Sequence, residues 1–498
     1  MKIHIYQLLL AALLYGCNDT PVTLPDPIKP PSTIPSPTGP LIYELDLTKV
    51  STDSFKVKLN LESLNEQNTI FQFAAAMPGI YSLVDFGKNV GGLKAYDKDS
   101  KEVPVRRLST NQFTLSNPVA VKTISYSIKS TPSSYGANIF PDCIFFTAPS
   151  LFGFPLGGTN QEIKLKVTIP EGWTLATTLQ KTSDGYYTAP NYKSFTDTHF
   201  FSGLLKYNSI IIDDTQFDIY SYAKSPQVQT AQLVDYVTVA MNDASKFFKV
   251  LPLNKYSFYF FFKGAGGGAL EHSGCSFHYN FETTSFSGFI RTRAAHEFFH
   301  IVAPLNVRSE VIENFNFSTP TASQHLWLYE GVTVWAAYMM QYRNGSMPLN
   351  DLLDQLSSRV VPDNESLTEV SLGVFNGKSA NSAYYKGVGV AALLDIKLLL
   401  LSNGTTGLRE LLLRLNAKHS PQNPFSEKDF FSEIIQMTHP DIGPFVESYI
   451  EGKEALPVKE LFDKIGIDFD ATSFKLTVKP TMNTQQAYLF DQWSKDLE

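Results

Sequence analysis

Residues 291–304 read RTRAAHEFFHIVAP, and they place His296 and His300 four positions apart, with Glu297 between them, in an otherwise apolar stretch. On an α-helix residues advance about 100° each, so the two imidazoles project about 40° apart on one face and Glu297 falls about 60° beyond His300. Two imidazoles so placed can share one ion while the carboxylate reaches a water beside it. This is the H-E-x-x-H arrangement of zinc peptidases, with the histidines as ligands and the glutamate as general base. The alternative is a solvated helix-face glutamate between two hydrogen-bonded core histidines. The neighbours Ala294, Ala295, Phe298, Phe299, Ile301 and Val302 tell against it. Imidazoles buried among them need polar partners, and a metal supplies one.

A catalytic zinc of this kind needs a third protein ligand and one open position. The best candidate is Glu330 in HLWLYEGVTVW, thirty positions after His300 and on a separate helix. Trp327, Gly331 and Val334 fall on its face at helical spacing, so the carboxylate projects from an apolar stripe. An unpaired charge there would cost several kcal/mol, and coordination removes that cost.

The rest of the chain sets the context. It has 498 residues with 43% hydrophobic and 13% aromatic composition, enough for sizeable cores in two or three domains. The net charge of −7 and the lack of any dense Lys/Arg block exclude nucleic acid as the expected partner. The start, MKIHIYQLLLAALLYGC, reads as a signal peptide over residues 1–17, too short to span a bilayer. Its LLYGC ending resembles the bacterial lipobox, which makes Cys17 the expected lipid attachment, with Tyr15 bulkier than usual there. The other reading is a plain secreted protein. Residues 18–40 are a Pro-rich tether, suited to holding a domain off a cell-envelope membrane. Cys143 and Cys275 are too few for a disulfide framework, and their pairing stays open.

Organisation follows from periodicity. Short alternating runs such as SFKVKLNL, TIFQF, KTISYSI and EIKLKVTI predict a β-sandwich over residues 41–215. Helical periods then dominate residues 216–455, as in DYVTVAMNDASKFFKVL, HLWLYEGVTVWAAYMMQY and YYKGVGVAALLDIKLLLLS, around a strand-like KYSFYFFFKG. The expected class is α+β multidomain: a sandwich, then a mainly helical catalytic domain with a small sheet, and a short C-terminal segment over 456–498.

With these motifs in order, the chain resembles the glycyl aminopeptidase family of zinc peptidases, whose third ligand is a glutamate on a downstream helix. The matching runs are AHEFFH, LWLYEG, GGGALEH, the YYKG run, MPGIYSLVDF and IPEGWTLA, spread over roughly Leu41 to Gly452. The resemblance implies a thermolysin-like catalytic domain. It also implies a glycine-rich strand beside the zinc, where Gly267 and Gly268 line the substrate backbone and Glu271 binds the free α-amine. Such roles are physically sound, since glycine permits close approach and a carboxylate suits an ammonium. The same resemblance makes Tyr384 the donor to the tetrahedral oxyanion, with Tyr385 as the adjacent competitor.

Three departures from the family's pattern stand out. Only about forty residues follow Gly452, too few for the PDZ-like module expected near the C-terminus. The segment after HEFFH reads IVAPLNVRSE, and Val334 stands where an acidic partner for a histidine is expected. His272 is a wall residue or a ligand, His278 and His325 are structural, and Asp395 is a cap or an orienting group. The expected activity is zinc-dependent removal of small N-terminal residues, Gly or Ala, from peptides with a free N-terminus. The rivals are a zinc endopeptidase with the same site and a non-catalytic peptide-binding surface lipoprotein. The β-rich half either buttresses the catalytic domain or shapes one side of its cleft.

Overall fold

The computed structural model describes residues 34–495 apart from 51–52, 226–227, 265–266 and 282–286. Cys17, the signal segment and tether residues 18–33 lie outside the described residues. The last part of the tether is docked: Thr38 bridges to Ser63, and Asn68 Nδ2 donates to the Pro35 carbonyl at 2.8 Å.

The first half is β-structure because its runs alternate. Leu41–Asp46, Ser54–Asn60 and Thr123–Lys129 bury every second side chain, and they meet in an eight-stranded sheet. Two four-stranded sheets complete this half. One of them contains Cys143–Thr147 and His199–Gly203, which are buried along their whole length because both sheet faces are covered. Ile144, Phe146 and Phe200 point into the core of the first half. Cys143, Phe145 and Phe201 point the other way, against Tyr259, Phe261, Cys275 and Phe277 of the second half. Phe145 alone lies 4.6 Å from the Phe277 ring and 4.8 Å from the Phe261 ring, centroid to centroid. Cys143 and Cys275 share this cluster as two thiols, with no disulfide between them.

The second half is built on a five-stranded sheet in the order Lys206–Ile212, Thr215–Ala223, Lys255–Gly264, Cys275–Phe281, Gly268–His272. The strand Lys206–Ile212 was expected in the sandwich. It instead forms a hairpin with Thr215–Ala223, so this sheet begins before residue 215. Only Ile212 in it is buried, so its local pattern does not say which sheet it joins, and only the pairing assigns it. The helices Thr230–Phe248 and Ser287–Phe299 pack on the sheet, Thr333–Arg343 packs on both of them, and Asn381–Leu401 packs on Thr333–Arg343. Residues 456–495 are no separate appendage. Phe462, Ile467, Leu476, Leu489 and Trp493 are buried in the same core, and the Trp493 carbonyl accepts from Arg343 Nε at 3.0 Å. No helix among the described residues is long and apolar enough to cross a membrane.

Candidate active site

The helix Ser287–Phe299 shows what the apolar residues of HEFFH are for. Ala294, Ala295, Phe298 and Phe299 are fully buried, and Phe299 lies 5.8 Å from the Phe248 ring on the helix Thr230–Phe248. Fixing that face turns His296 and Glu297 toward the opposite side. His300 Nδ1 lies 2.9 Å from the Ala303 carbonyl, which can only accept, so Nδ1 carries the proton and Nε2 the lone pair. That backbone carbonyl is the partner for a histidine that Val334 left unaccounted for. His300 Nε2 faces His296 Nε2 at 3.1 Å. Burial, then the Arg293 charge, lowers the His296 pKa to about 3, leaving a neutral imidazole.

Glu330 arrives from a second helix, in a π-helical turn over Trp327–Val332 that precedes Thr333–Arg343. Its Oε2 lies 3.5 Å from His296 Nε2 and 3.8 Å from His300 Nε2. This oxygen is buried and has no hydrogen-bond partner among the described residues. Oε1 accepts from the Tyr81 hydroxyl at 2.5 Å. Beside it, Gly331 packs on Gly387 so tightly that a Cβ on Gly331 would lie 2.6 Å from the Gly387 backbone. The contact seats the helix Asn381–Leu401 against the glutamate, and the Tyr384 hydroxyl also stabilises the Glu330 charge. Tyr385 turns away to lie under the Arg359 guanidinium, 3.9 Å from its ring centroid.

The strand Gly268–His272 forms the edge of the five-stranded sheet, with no strand on its outer side among the described residues. Gly267 directly precedes it, and the Gly268 carbonyl lies 3.4 Å from Arg293 Nη1. Glu271 on this strand comes within 4.8 Å of Glu297 and His300, ligand atom to ligand atom. Burial pushes the pKa of Glu297 well up, and the Glu271 and Glu330 carboxylates push it further against the pull of Arg293. Glu271 is likewise raised, by burial before any charge.

This arrangement fits a divalent ion. For ligand bonds of about 2.0–2.1 Å a tetrahedral zinc site has ligand-to-ligand edges of about 3.3 Å. The three edges here, 3.1, 3.5 and 3.8 Å, bracket that value. Among the described residues the inward oxygen of Glu330 has no hydrogen-bond partner, and Arg293 is the guanidinium that offsets the crowded carboxylates at Glu297.

Other singled-out residues lie elsewhere. His272 is buried on the far side of the edge strand, 3.8 Å from Asp197. His278 pairs with Ser276, and His325 Nε2 meets the Glu427 carbonyl at 2.8 Å. Asp395 caps the Leu408 amide at 2.7 Å and pairs with Arg343, so it orients no group of this site. Two site residues escaped the sequence. Arg293 carries a signal, one helical turn before Glu297. Tyr81 carries none beyond its place in MPGIYSLVDF, because it reaches Glu330 across 249 positions.

Two family models match the chain. Residues 42–203 match the Peptidase M61 N-terminal domain and residues 290–369 match the M61 glycyl aminopeptidase. The chain belongs to the M61 glycyl aminopeptidase family. The match over 290–369 contains HEFFH and Glu330, and the chain is a metallopeptidase. The fold of this M61 peptidase is similar to the crystal structure of an aminopeptidase N family protein from Idiomarina loihiensis. The TM-score is 0.79 and the identity 21%, over 86% of this chain and 78% of that one. A comparison with curated proteins finds no match.

The glycine contact beside Glu330 generates a test. A methyl at Gly331 has only backbone to push against, so Gly331→Ala is expected to cost about 1–3 kcal/mol of overpacking. It should also weaken metal binding by moving Glu330 and Tyr384 together. Denaturant unfolding and metal titration of the variant check both effects.

Proposed function

We infer that this M61 peptidase is a zinc-dependent aminopeptidase that removes small N-terminal residues, Gly or Ala, from peptides. The observation that carries it is the triangle of His296, His300 and Glu330, with one carboxylate oxygen turned inward and unpartnered among the described residues, and Glu297 alongside. These three residues would hold one Zn²⁺ per chain. When bound, zinc supplies a Lewis acid that makes water acidic and polarises the scissile carbonyl.

The chain's own groups supply the rest. A Glu297 carboxylate oxygen takes the proton of the attacking water as the C–O bond forms. It then delivers that proton to the leaving nitrogen as the C–N bond breaks. Tyr384 donates its hydroxyl to the oxyanion. Glu271 binds the α-ammonium, and the free edge of Gly268–His272 aligns the peptide backbone in extended form, with Gly267 and Gly268 allowing close approach. The crowding of Glu271 against Glu297 and His300 supports exopeptidase action, since it sets the amine anchor next to the reacting carbonyl. Preference for Gly or Ala rests on the family. Export and lipid anchoring at Cys17 rest on the N-terminal sequence.

Three outcomes follow. Glu297→Gln should retain about one zinc per chain by elemental analysis and lose roughly 10²–10⁴-fold in turnover, and wild-type turnover would overturn the mechanism. Gly- and Ala-peptides should be cleaved when the N-terminus is free and spared when it is acetylated. Equal cleavage of both would make the protein an endopeptidase. Mass spectrometry of the mature chain should find Cys17 lipidated at its N-terminus, and an unmodified Cys17 would leave a plain secreted protein.

A further inference from the structure

The segment Ala76–Leu83 leaves the first half and returns to it at once. Its base is closed where the Val84 and Asp85 amides both donate to the Ala75 carbonyl, at 2.9 and 3.0 Å. The Ala75 amide in turn donates to the Phe317 carbonyl of the second half at 2.7 Å. A loop pinned in this way touches the site twice. Gly79, at φ +78°, fits so closely that a Cβ there would lie 2.9 and 3.0 Å from the two Glu271 oxygens. Two residues on, the Tyr81 hydroxyl donates to Glu330 Oε1.

A carboxylate can bind a metal through one oxygen or through both, and the second mode consumes a coordination position. A short O–H···O⁻ bond to a buried carboxylate is among the stronger hydrogen bonds a protein makes. Here that bond takes Oε1 alone, while Oε2 faces both imidazoles with no hydrogen-bond partner among the described residues. We propose that Tyr81 is a positioning residue that keeps Glu330 a one-oxygen ligand, so that the remaining coordination position stays open for water and substrate. The first half of the chain thereby sets the coordination number of an ion held entirely by the second. This assignment rests on the zinc site inferred above.

The test compares wild-type protein with Tyr81→Phe, which removes one oxygen and leaves the ring in place. Zinc affinity is measured by competition with a chelator, and the visible absorption of the cobalt(II)-substituted proteins reports coordination number. Loss of the hydroxyl frees Oε1 to chelate. The variant is expected to bind zinc about 10–100-fold more weakly, as losses of such orienting partners typically do. Its cobalt bands should lose intensity as the coordination number rises, and kcat should fall with KM for a Gly-peptide little changed. An unchanged cobalt spectrum overturns the assignment, whatever happens to turnover. Wild-type protein that takes up no zinc or cobalt overturns the metal site itself and this assignment with it, so the wild-type measurement separates the two failures.

Discussion

Buried negative charge is the constraint on which the site depends. Glu271, Glu297 and Glu330 converge where water is scarce; Glu271 and Glu330 raise the proton affinity of Glu297, and Glu330 raises that of Glu271. Burying even one unpaired carboxylate costs several kcal/mol, so three of them demand compensation. Arg293 answers part of it from one turn below Glu297, and the Tyr81 and Tyr384 hydroxyls answer another part at Glu330. What is left over is one carboxylate oxygen and two imidazole nitrogens aimed at a common point. The surrounding polar groups are as much a response to that charge as contributors to catalysis.

The scaffold meets the demand with unusually close packing. Two helices cross at Gly331 and Gly387 with almost no gap, and each of those glycines lies within a few residues of a functional side chain. The π-helical turn at Trp327–Val332 adds a local irregularity to an otherwise regular helix just where Glu330 must aim inward. Across the site the loop of the first half closes over Glu271 and Glu330 together. The β-rich half therefore reaches Glu271 and Glu330 as well as packing on the second half.

Much of this was legible in the sequence because helical geometry is local. His296, Glu297 and His300 share a turn, so their convergence follows from 3.6 residues per turn alone. Glu330 was legible for another reason: a charge on an apolar stripe needs an explanation. The two tyrosines of YYKG could not be ranked from spacing, since adjacent residues leave a helix about 100° apart and the outcome depends on what lies on each side. Arg359 lies on one side and Glu330 on the other. Tyr81 was beyond reach because its partner lies in a different half. Likewise, the strand Lys206–Ile212 carries no burial pattern that names its sheet, and only its hairpin with Thr215–Ala223 assigns it.

The sheet containing Cys143–Thr147 and His199–Gly203 belongs to both halves at once, with one face in each core. A layer shared in this way cannot act as a hinge. Opening the molecule like a pair of jaws would expose Phe145, Phe201, Phe261 and Phe277 to water together, at a cost far above thermal energy. The two halves are therefore held as one body, and a peptide must reach the site without parting them.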